Sequence, residues 1–318
     1  MKTSPTLSVV IPTYNEPERL SAALESLALQ DYPAEALEII VVDDASLVFD
    51  PERYAQAAGS FPLRVLRHAT NQGRARARNK GIRAANGEVV LFLDSDMTVE
   101  PGFLRAHAQA HQQAGTVAIG HIRFGPQVPA NCLTRYLDSR GVHRLRKGEA
   151  VPFKCFVTGN SSVSREQLLR VGLFDEDFTA YGGEDLELGY RLHLDGAVFR
   201  FADQARSLHH HLRPFRQHCQ LMYTYGQHSL PVLLGKCPAL MPLLRLDFLS
   251  GPFYSFRRLL YRLALLPALY YSIRWAVEVS LRWCVPDLCF DYLWWYNRTR
   301  GYLKTARTIR RGEGLGQS

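Results

Sequence analysis

The 318-residue sequence has six cysteines (Cys132, Cys155, Cys219, Cys237, Cys284 and Cys289), with no CxxC pair and no tight cluster among them. This argues against a disulfide framework or a thiolate zinc site and predicts buried free thiols in a reducing compartment. The N-terminus, MKTSPTLSVVIP, lacks the apolar stretch and cleavage site of a secretory signal, so the chain is expected to start and stay in the cytoplasm. No internal repeat or low-complexity run is present. In the apolar, aromatic tail the longest stretch without a charge, Leu263–Ile273, is too short to span a bilayer.

With 47% hydrophobic and 21% charged residues, the composition suits a substantial buried core, as one large domain or one domain with an appendage. Charge is uneven. Residues 203–318 hold 16 Lys+Arg against 6 Asp+Glu, a net +10, so residues 1–202 carry −2 of the total +8. A basic tail predicts an anionic partner. Its wealth of Leu, Tyr and Trp favours an anionic membrane surface over nucleic acid.

LSVVIPTYN reads as a buried strand ended by Pro12. Residues 17–30 place Leu20, Leu24 and Leu27 at helical spacing after a first-turn proline. LEIIVVDD, LRVLRH and EVVLFLDSD read as further strands, with helical GRARARNKGIRAAN before the last. Unbroken apolar strands alternating with helices predict an α/β fold with a mostly parallel sheet covered on both faces. Tyr14, Asp43, Asp44, Asp94 and Asp96 then fall at the carboxyl ends of strands, the edge where such sheets bind ligands. TVAIGHIRF and FKCFVTGNSSVS are strand-like, and Pro126–Ala150 reads as a mobile or acceptor-side insertion. From about Ser229 the chain turns apolar, with Arg257, Arg258, Arg262, Arg274 and Arg282 recurring through it. Two or three helices lying in the headgroup plane fit this pattern; packing on the body or on a second copy of the chain is the alternative.

The triplet Asp94-Ser95-Asp96 puts two carboxylates on one side of an extended segment about 7 Å apart, suited to a hard divalent cation. Alone, such a triplet is usually a solvated turn. Here it accompanies Asp43-Asp44, able to accept from a base or ribose, and a basic helix after Gly73 in which Arg74 and Arg78 share a face. Further on, YGGEDLELGYRL delivers Glu184 and Asp185 from a glycine pair to the start of a helix, where the macrodipole alone would favour acids.

SVVIPTYNE, VVDDAS, NQGRARARNKG, FLDSDM and GGEDLELGYRL, in this order, resemble the inverting family 2 glycosyltransferases of the GT-A fold over roughly residues 6–230. TGNSSVSR and GGEDLELGYRL are most similar to the polysaccharide-synthase and polypeptide-GalNAc-transferase-like branch. The resemblance implies a catalytic domain over 1–230, and the composition of 231–318 predicts a helical, basic-aromatic, membrane-associated extension. It implies that Pro12, Tyr14, Glu16, Asp43 and Asp44 line a pocket for a uracil-type base, and that Arg78 contacts base or diphosphate. Asp94, Ser95 and Asp96 would form the DxD site, with Gly159 and Asn160 bordering the donor sugar. Asp185 would be the general base and Glu184 its partner. Asp94, Asp96 and one of His209 or His211 would hold Mn²⁺ or Mg²⁺.

Two departures narrow this expectation. Tyr181 stands where the nearest relatives often have Trp, which is expected to alter acceptor stacking. No QxxRW-type motif follows the histidines, which argues against a processive membrane-embedded synthase. The expected activity is metal-dependent inverting transfer from a nucleotide-sugar, a UDP-sugar, to a hydroxyl of a glycan or lipid-linked acceptor. Cell-surface polysaccharide synthesis, peripheral on the inner face of the plasma membrane, would suit it. The rivals are an inactive nucleotide-sugar-binding scaffold, or a sugar-phosphate nucleotidyltransferase, whose glycine- and basic-rich signature PTYNEPE replaces.

Overall fold

The computed structural model describes residues 5–145, 150–249, 256–283 and 285–313. They form two compact units, one of Met1–Pro129, Asp138–Thr179 and Glu184–Leu212, the other of Ala130–Leu137, Ala180–Gly183 and Arg213–Ser318.

The first unit is built on strands β1 (Leu7–Thr13), β2 (Leu37–Asp43), β3 (Leu63–Arg67), β4 (Val89–Leu93), β5 (Met97–Val99), β6 (Thr116–Phe124), β7 (Asn160–Ser164) and β8 (Val198–His209). Their spatial order is β3-β2-β1-β4-β7-β6-β8-β5. The sheet is mixed but mostly of one direction: β1 to β4, β6 and β8 run together, while β7 and β5 run against their neighbours. This direction sets the site. The carboxyl ends of β1, β2, β4, β6 and β8 reach one edge, and β7, being reversed, brings its first residue there.

Period-two alternation sends Val9, Ile11, Ile39 and Val41 to one face and Val10, Ile40 and Val42 to the other. Helix α1 (Pro17–Ala28) covers the first face with Leu20, Leu24 and Leu27; α2 (Pro51–Ala57) contributes Tyr54 there. Helix α3 (Arg74–Ala84) covers the second with Ala75, Ala77 and Ile82. Gly81 of α3 lies so close to β1 that a Cβ there would overlap Val10. Beyond these come α4 (Phe103–Ala110), α6 (Arg165–Arg170) and α7 (Glu184–Leu194), while α5 (Cys132–Asp138), apart from Asp138, belongs to the second unit. Pro12 does not end β1 as expected. β4 pairs with β1 only over Leu7–Val10, so the missing proline N–H is not needed on that side.

The region expected to be a mobile insertion holds α5, with Cys132, Leu133 and Tyr136 buried; residues 146–149 lie outside the described ones. FKCFVTGNSSVS is a strand only from Asn160 onward, its start forming a short 3₁₀ turn at Phe153–Cys155. The cysteines are free thiols, four buried and Cys289 half-buried, while Cys284 lies outside the described residues.

The second unit holds α8 (Phe215–Thr224), a π-helical turn (Tyr225–Ser229), α9 (Leu230–Lys236), α10 (Phe256–Ala264), α11 (Pro267–Ser280) and α12 (Asp287–Glu313). Its main stretch starts at Arg213, earlier than the compositional change near Ser229, and Ala130–Leu137 and Ala180–Gly183 belong to it too. Two glycines let α12 approach the α8 region: a Cβ at Gly226 would overlap the Arg298 carbonyl, and one at Gly301 the Tyr223 carbonyl. Among the described residues no helix is long and apolar enough to cross a membrane.

Candidate active site

At the β1 and β2 ends the chain turns through two left-handed non-glycine residues, Asn15 (φ 56) and Ala45 (φ 67). They are tied together: the Asn15 N–H donates to Ser46 Oγ and the Leu47 N–H to Asn15 Oδ1, both at 2.8 Å. Such backbone costs of order 1–3 kcal/mol and persists where the surroundings impose it. Tyr14 in this loop is 48% exposed, and Pro12 before it is half-buried. Glu16 accepts from Arg19 at 2.7 Å and from Ser95 Oγ at 2.9 Å, linking the first loop to the DSD segment.

Asp43 and Asp44 are buried and engaged by protein donors. Asp43 accepts from the Ser46 N–H at 3.2 Å and faces Arg67 Nε at 3.0 Å. Asp44 meets His68 Nδ1 at 2.7 Å and accepts from the Gln72 and Gly73 amides at 2.9 and 2.8 Å. What the second carboxylate organises is therefore the loop into α3, where Gly73 caps the helix at φ 89.

Asp94, Ser95 and Asp96 do not continue the strand. They form a turn closed by the Met97 N–H donating to the Asp94 carbonyl at 3.2 Å. The two acids consequently face different partners. Asp94 accepts from Arg78 Nη2 at 3.0 Å, whereas Asp96 Oδ2 lies 2.9 Å from His209 Nε2. β5 and β8 pair Met97 with His209, which brings Asp96 beside the histidines. Of the other two, His210 bonds Thr98 Oγ1 at 2.6 Å and His211 Nδ1 lies 3.3 Å from Arg19 Nη2. Of the expected ligands Asp94, Asp96, His209 and His211, Asp96 and His209 are in direct contact. Among the described residues no three His, Cys, Asp or Glu side chains converge as a metal set. A carboxylate beside an imidazole is nonetheless a donor pair that Mn²⁺ accepts.

Gly159 borders this turn: a Cβ there would lie 3.4 Å from Asp94 Oδ2. Asn160 is fully buried, its Nδ2 donating to the Ala205 carbonyl at 2.8 Å and to Ser207 Oγ at 2.9 Å. This leaves Oδ1 to accept from His107 Nε2 at 2.9 Å. His107 Nδ1 must then accept from Ser162 Oγ, and His111 Nε2 must donate to that oxygen, both at 2.8 Å. Burial holds the His107 imidazole down to about 3 and His111 to about 4, so both are neutral.

Glu184 and Asp185 open α7 after Gly182 (φ 81) and Gly183 (φ 102). Asp185 accepts from Thr158 Oγ1 at 3.0 Å and from the Thr158 N–H at 3.3 Å. Burial pushes its carboxyl well above the ordinary range and the Glu184 charge adds to this, against the opposing pull of Arg78. Arg78 itself is buried, its Nη1 3.4 Å from Glu184 Oε1 and 4.0 Å from Asp185 Oδ1. Arg74, expected on the same face, is exposed instead.

Thr158, Asn79, Phe174 and the His107–His111 pair were not anticipated as site residues. The two histidines sit four apart, His107 on α4 and His111 at its C-terminal cap, a spacing that exposes them to one neighbour but does not say which.

The family model for glycosyl transferase family 2 matches residues 8–170, and a model described as the N-terminal domain of galactosyltransferase matches 143–213. An uncharacterized glycosyltransferase, YfnE, of Bacillus subtilis (strain 168) is 29% identical over 252 residues, covering 64% of each chain. Validoxylamine A glucosyltransferase of Streptomyces hygroscopicus subsp. jinggangensis is 33% identical over 60% of this chain and 52% of its own. Hyaluronan synthase of Pasteurella multocida is 29% identical over 64% of this chain but 24% of its own. The chain thus spans between a quarter and two thirds of these relatives. Among solved structures, the mannosyltransferase PcManGT of Pyrobaculum calidifontis, in complex with GDP-Man and Mn²⁺, superposes with a TM-score of 0.61 at 19% identity, over 96% of this chain and 87% of its own. GalNAc-T7 with UDP, GalNAc and Mn²⁺ gives 0.53 at 19% identity, over 71% of this chain and 48% of its own. These likenesses place the first unit in the GT-A fold.

Proposed function

Because this chain belongs to glycosyl transferase family 2, we propose that it transfers a sugar from a nucleotide-sugar, a UDP-sugar, to a hydroxyl of a glycan or lipid-linked acceptor with inversion. The observation that carries this reading is the meeting, at one sheet edge, of the Asp94–Asp96 turn with the Glu184–Asp185 pair around Arg78.

In this reading Pro12, Tyr14, Glu16, Ser95 and Gly159 line the donor side, and Asp43, Asp44 and Asn160 fix the loops and strand that form it. A sugar hydroxyl is a poor nucleophile. Asp185, held by Thr158, takes its proton as the oxygen bonds to the anomeric carbon, while the bond from that carbon to the diphosphate oxygen breaks. Glu184 orients the pair. The nucleoside diphosphate leaves with the bonding electrons, and a single displacement inverts the centre. Asp96 and His209, with Asp94, would hold Mn²⁺ or Mg²⁺, which supplies charge neutralisation for the departing diphosphate. The second unit would sit at an anionic membrane surface, peripheral to the inner face of the plasma membrane, where surface polysaccharide is assembled.

The test begins with thermal shifts for UDP-glucose, UDP-N-acetylglucosamine and GDP-mannose in Mn²⁺. A true donor at 100 times its Kd stabilises the fold by about 2.7 kcal/mol. With that donor, Asp185→Asn should lower transfer by about 10²–10⁴-fold while leaving the donor shift in place. Transfer at the wild-type rate would remove Asp185 from the mechanism.

A further inference from the structure

We propose that Arg78 is a positioning residue that ties the donor-side carboxylate Asp94 to the acceptor-side carboxylates Glu184 and Asp185, and makes no contact with base or diphosphate. The inference rests on the reading above for the names of the two sides, and on geometry for the tie.

The Arg78 side chain is 3% exposed. Each terminal nitrogen is committed: Nη2 to Asp94 at 3.0 Å, Nη1 to Glu184 at 3.4 Å with Asp185 at 4.0 Å. Nε is buried as well and has no partner, and with 3% of the side chain exposed little of the fork is open to a ligand. The planar fork is what allows one side chain to span the end of β4 and the start of α7; an ammonium is a point charge and cannot hold both directions at once.

The guanidinium is fixed from behind. It stacks over Phe174, 5.6 Å from the ring centroid, and Phe174 packs edge-on against Phe92. Asn79, the next residue, pins the Phe174 backbone from both sides, donating to its carbonyl and accepting from its N–H at 2.9 Å each. Arg78 and Asn79 thus act as a unit, one placing the carboxylates and the other placing the ring that backs the guanidinium. One cation faces three carboxylates, so a net negative charge remains when all are ionised. The Arg78 and Glu184 side chains are 3% and 9% exposed, and a buried pair of this kind loses heavily when one partner is removed.

The experiment uses Arg78→Lys and Arg78→Met in the full chain. UDP with Mn²⁺ is the binding probe, and sugar release from UDP-glucose, UDP-N-acetylglucosamine or GDP-mannose is the rate. The expected result is a UDP Kd within about threefold of wild type and a kcat lowered at least about thirtyfold, with Lys retaining more than Met. A weakened UDP Kd with kcat retained would make Arg78 a diphosphate ligand and overturn the tie.

A stability cycle decides the tie independently of activity. In the Arg78→Met background, adding Asp94→Asn and Glu184→Gln should recover roughly 2–4 °C of the lost Tm, because it removes carboxylates left without a cation. Additive losses would overturn the proposal. Absence of turnover with any donor in the wild-type chain, with the cycle coupled, would fail the glycosyltransferase reading and leave the tie standing.

Discussion

His107 is buried beneath Asn160 with both ring nitrogens engaged, and burial holds its pKa near 3. In the unfolded chain the imidazole titrates near 6.5. Between those values the unfolded state binds a proton that the folded state refuses, so stability is full above about pH 6.5 and falls as pH drops toward 3. His111, held near 4 by the same burial, adds to the slope. Unfolding free energies from urea melts at pH 7.5 and 5.0 should differ by about 2 kcal/mol for His107 alone, and His107→Gln should flatten that difference. Asp185 carries a consequence for rate in the same direction. Its raised carboxyl must be ionised to accept a proton, so the acid limb of transfer should lie above the ordinary carboxylate range. Gly120 is a third sensitive residue. A Cβ there would overlap the Asn160 amide, so Gly120→Ala should cost about 1–3 kcal/mol in denaturant melts.

At the scale of elements, the glycine pair before α7 and the bulge in β8 carry most of the geometry. Gly183 at φ 102 has a backbone that L-residues rarely adopt, and Gly183→Ala should cost about 1–2 kcal/mol and lower transfer. The apolar strands β1, β2 and β4 and the Leu20-Leu24-Leu27 stripe of α1 were legible because each buries its whole period. β8 was not. Its pairing with β6 shifts between Gly120–Ala202 and His121–Arg206, so three residues loop out and the alternation breaks midway. The DSD segment misled for a related reason. Its acids sit in a turn, where the two-residue period no longer holds, and they part toward Arg78 and His209.

At the scale of the chain, the second unit concentrates the positive charge and leaves an apolar stripe exposed. In α10, Phe256, Leu259, Leu260 and Leu263 lie on one face; in α11, Tyr271, Trp275 and Val279 repeat every four residues, with Trp283 following. Trp275 is 69% and Trp283 82% exposed, while Tyr270 and Val277 turn to the buried side. Exposed tryptophans among arginines suit a headgroup layer. Flotation with phosphatidylcholine–phosphatidylglycerol vesicles should retain the wild-type chain, and Trp275→Ala with Trp283→Ala should weaken retention about tenfold or more. Added salt should weaken it too. Chain that stays unbound but elutes as a dimer would assign the stripe to a second copy instead.

The order of residues is enough to place apolar strands between helices and to put acids at strand ends, because period and strand direction are properties of a single segment. It is also enough for the family, whose signatures run in order along the first two thirds of the chain. Partnership is a different matter. Whether Asp44 faces a ligand or the Gln72 and Gly73 amides, and whether Arg78 grips a diphosphate or three carboxylates, depends on which segments the sheet order brings together. β7 running against β4 decides it for Asn160, and β8 beside β5 decides it for His209. Those neighbours are more than a hundred residues apart along the chain in the case of His209 and Asp96, so only the closed fold could choose between the alternatives.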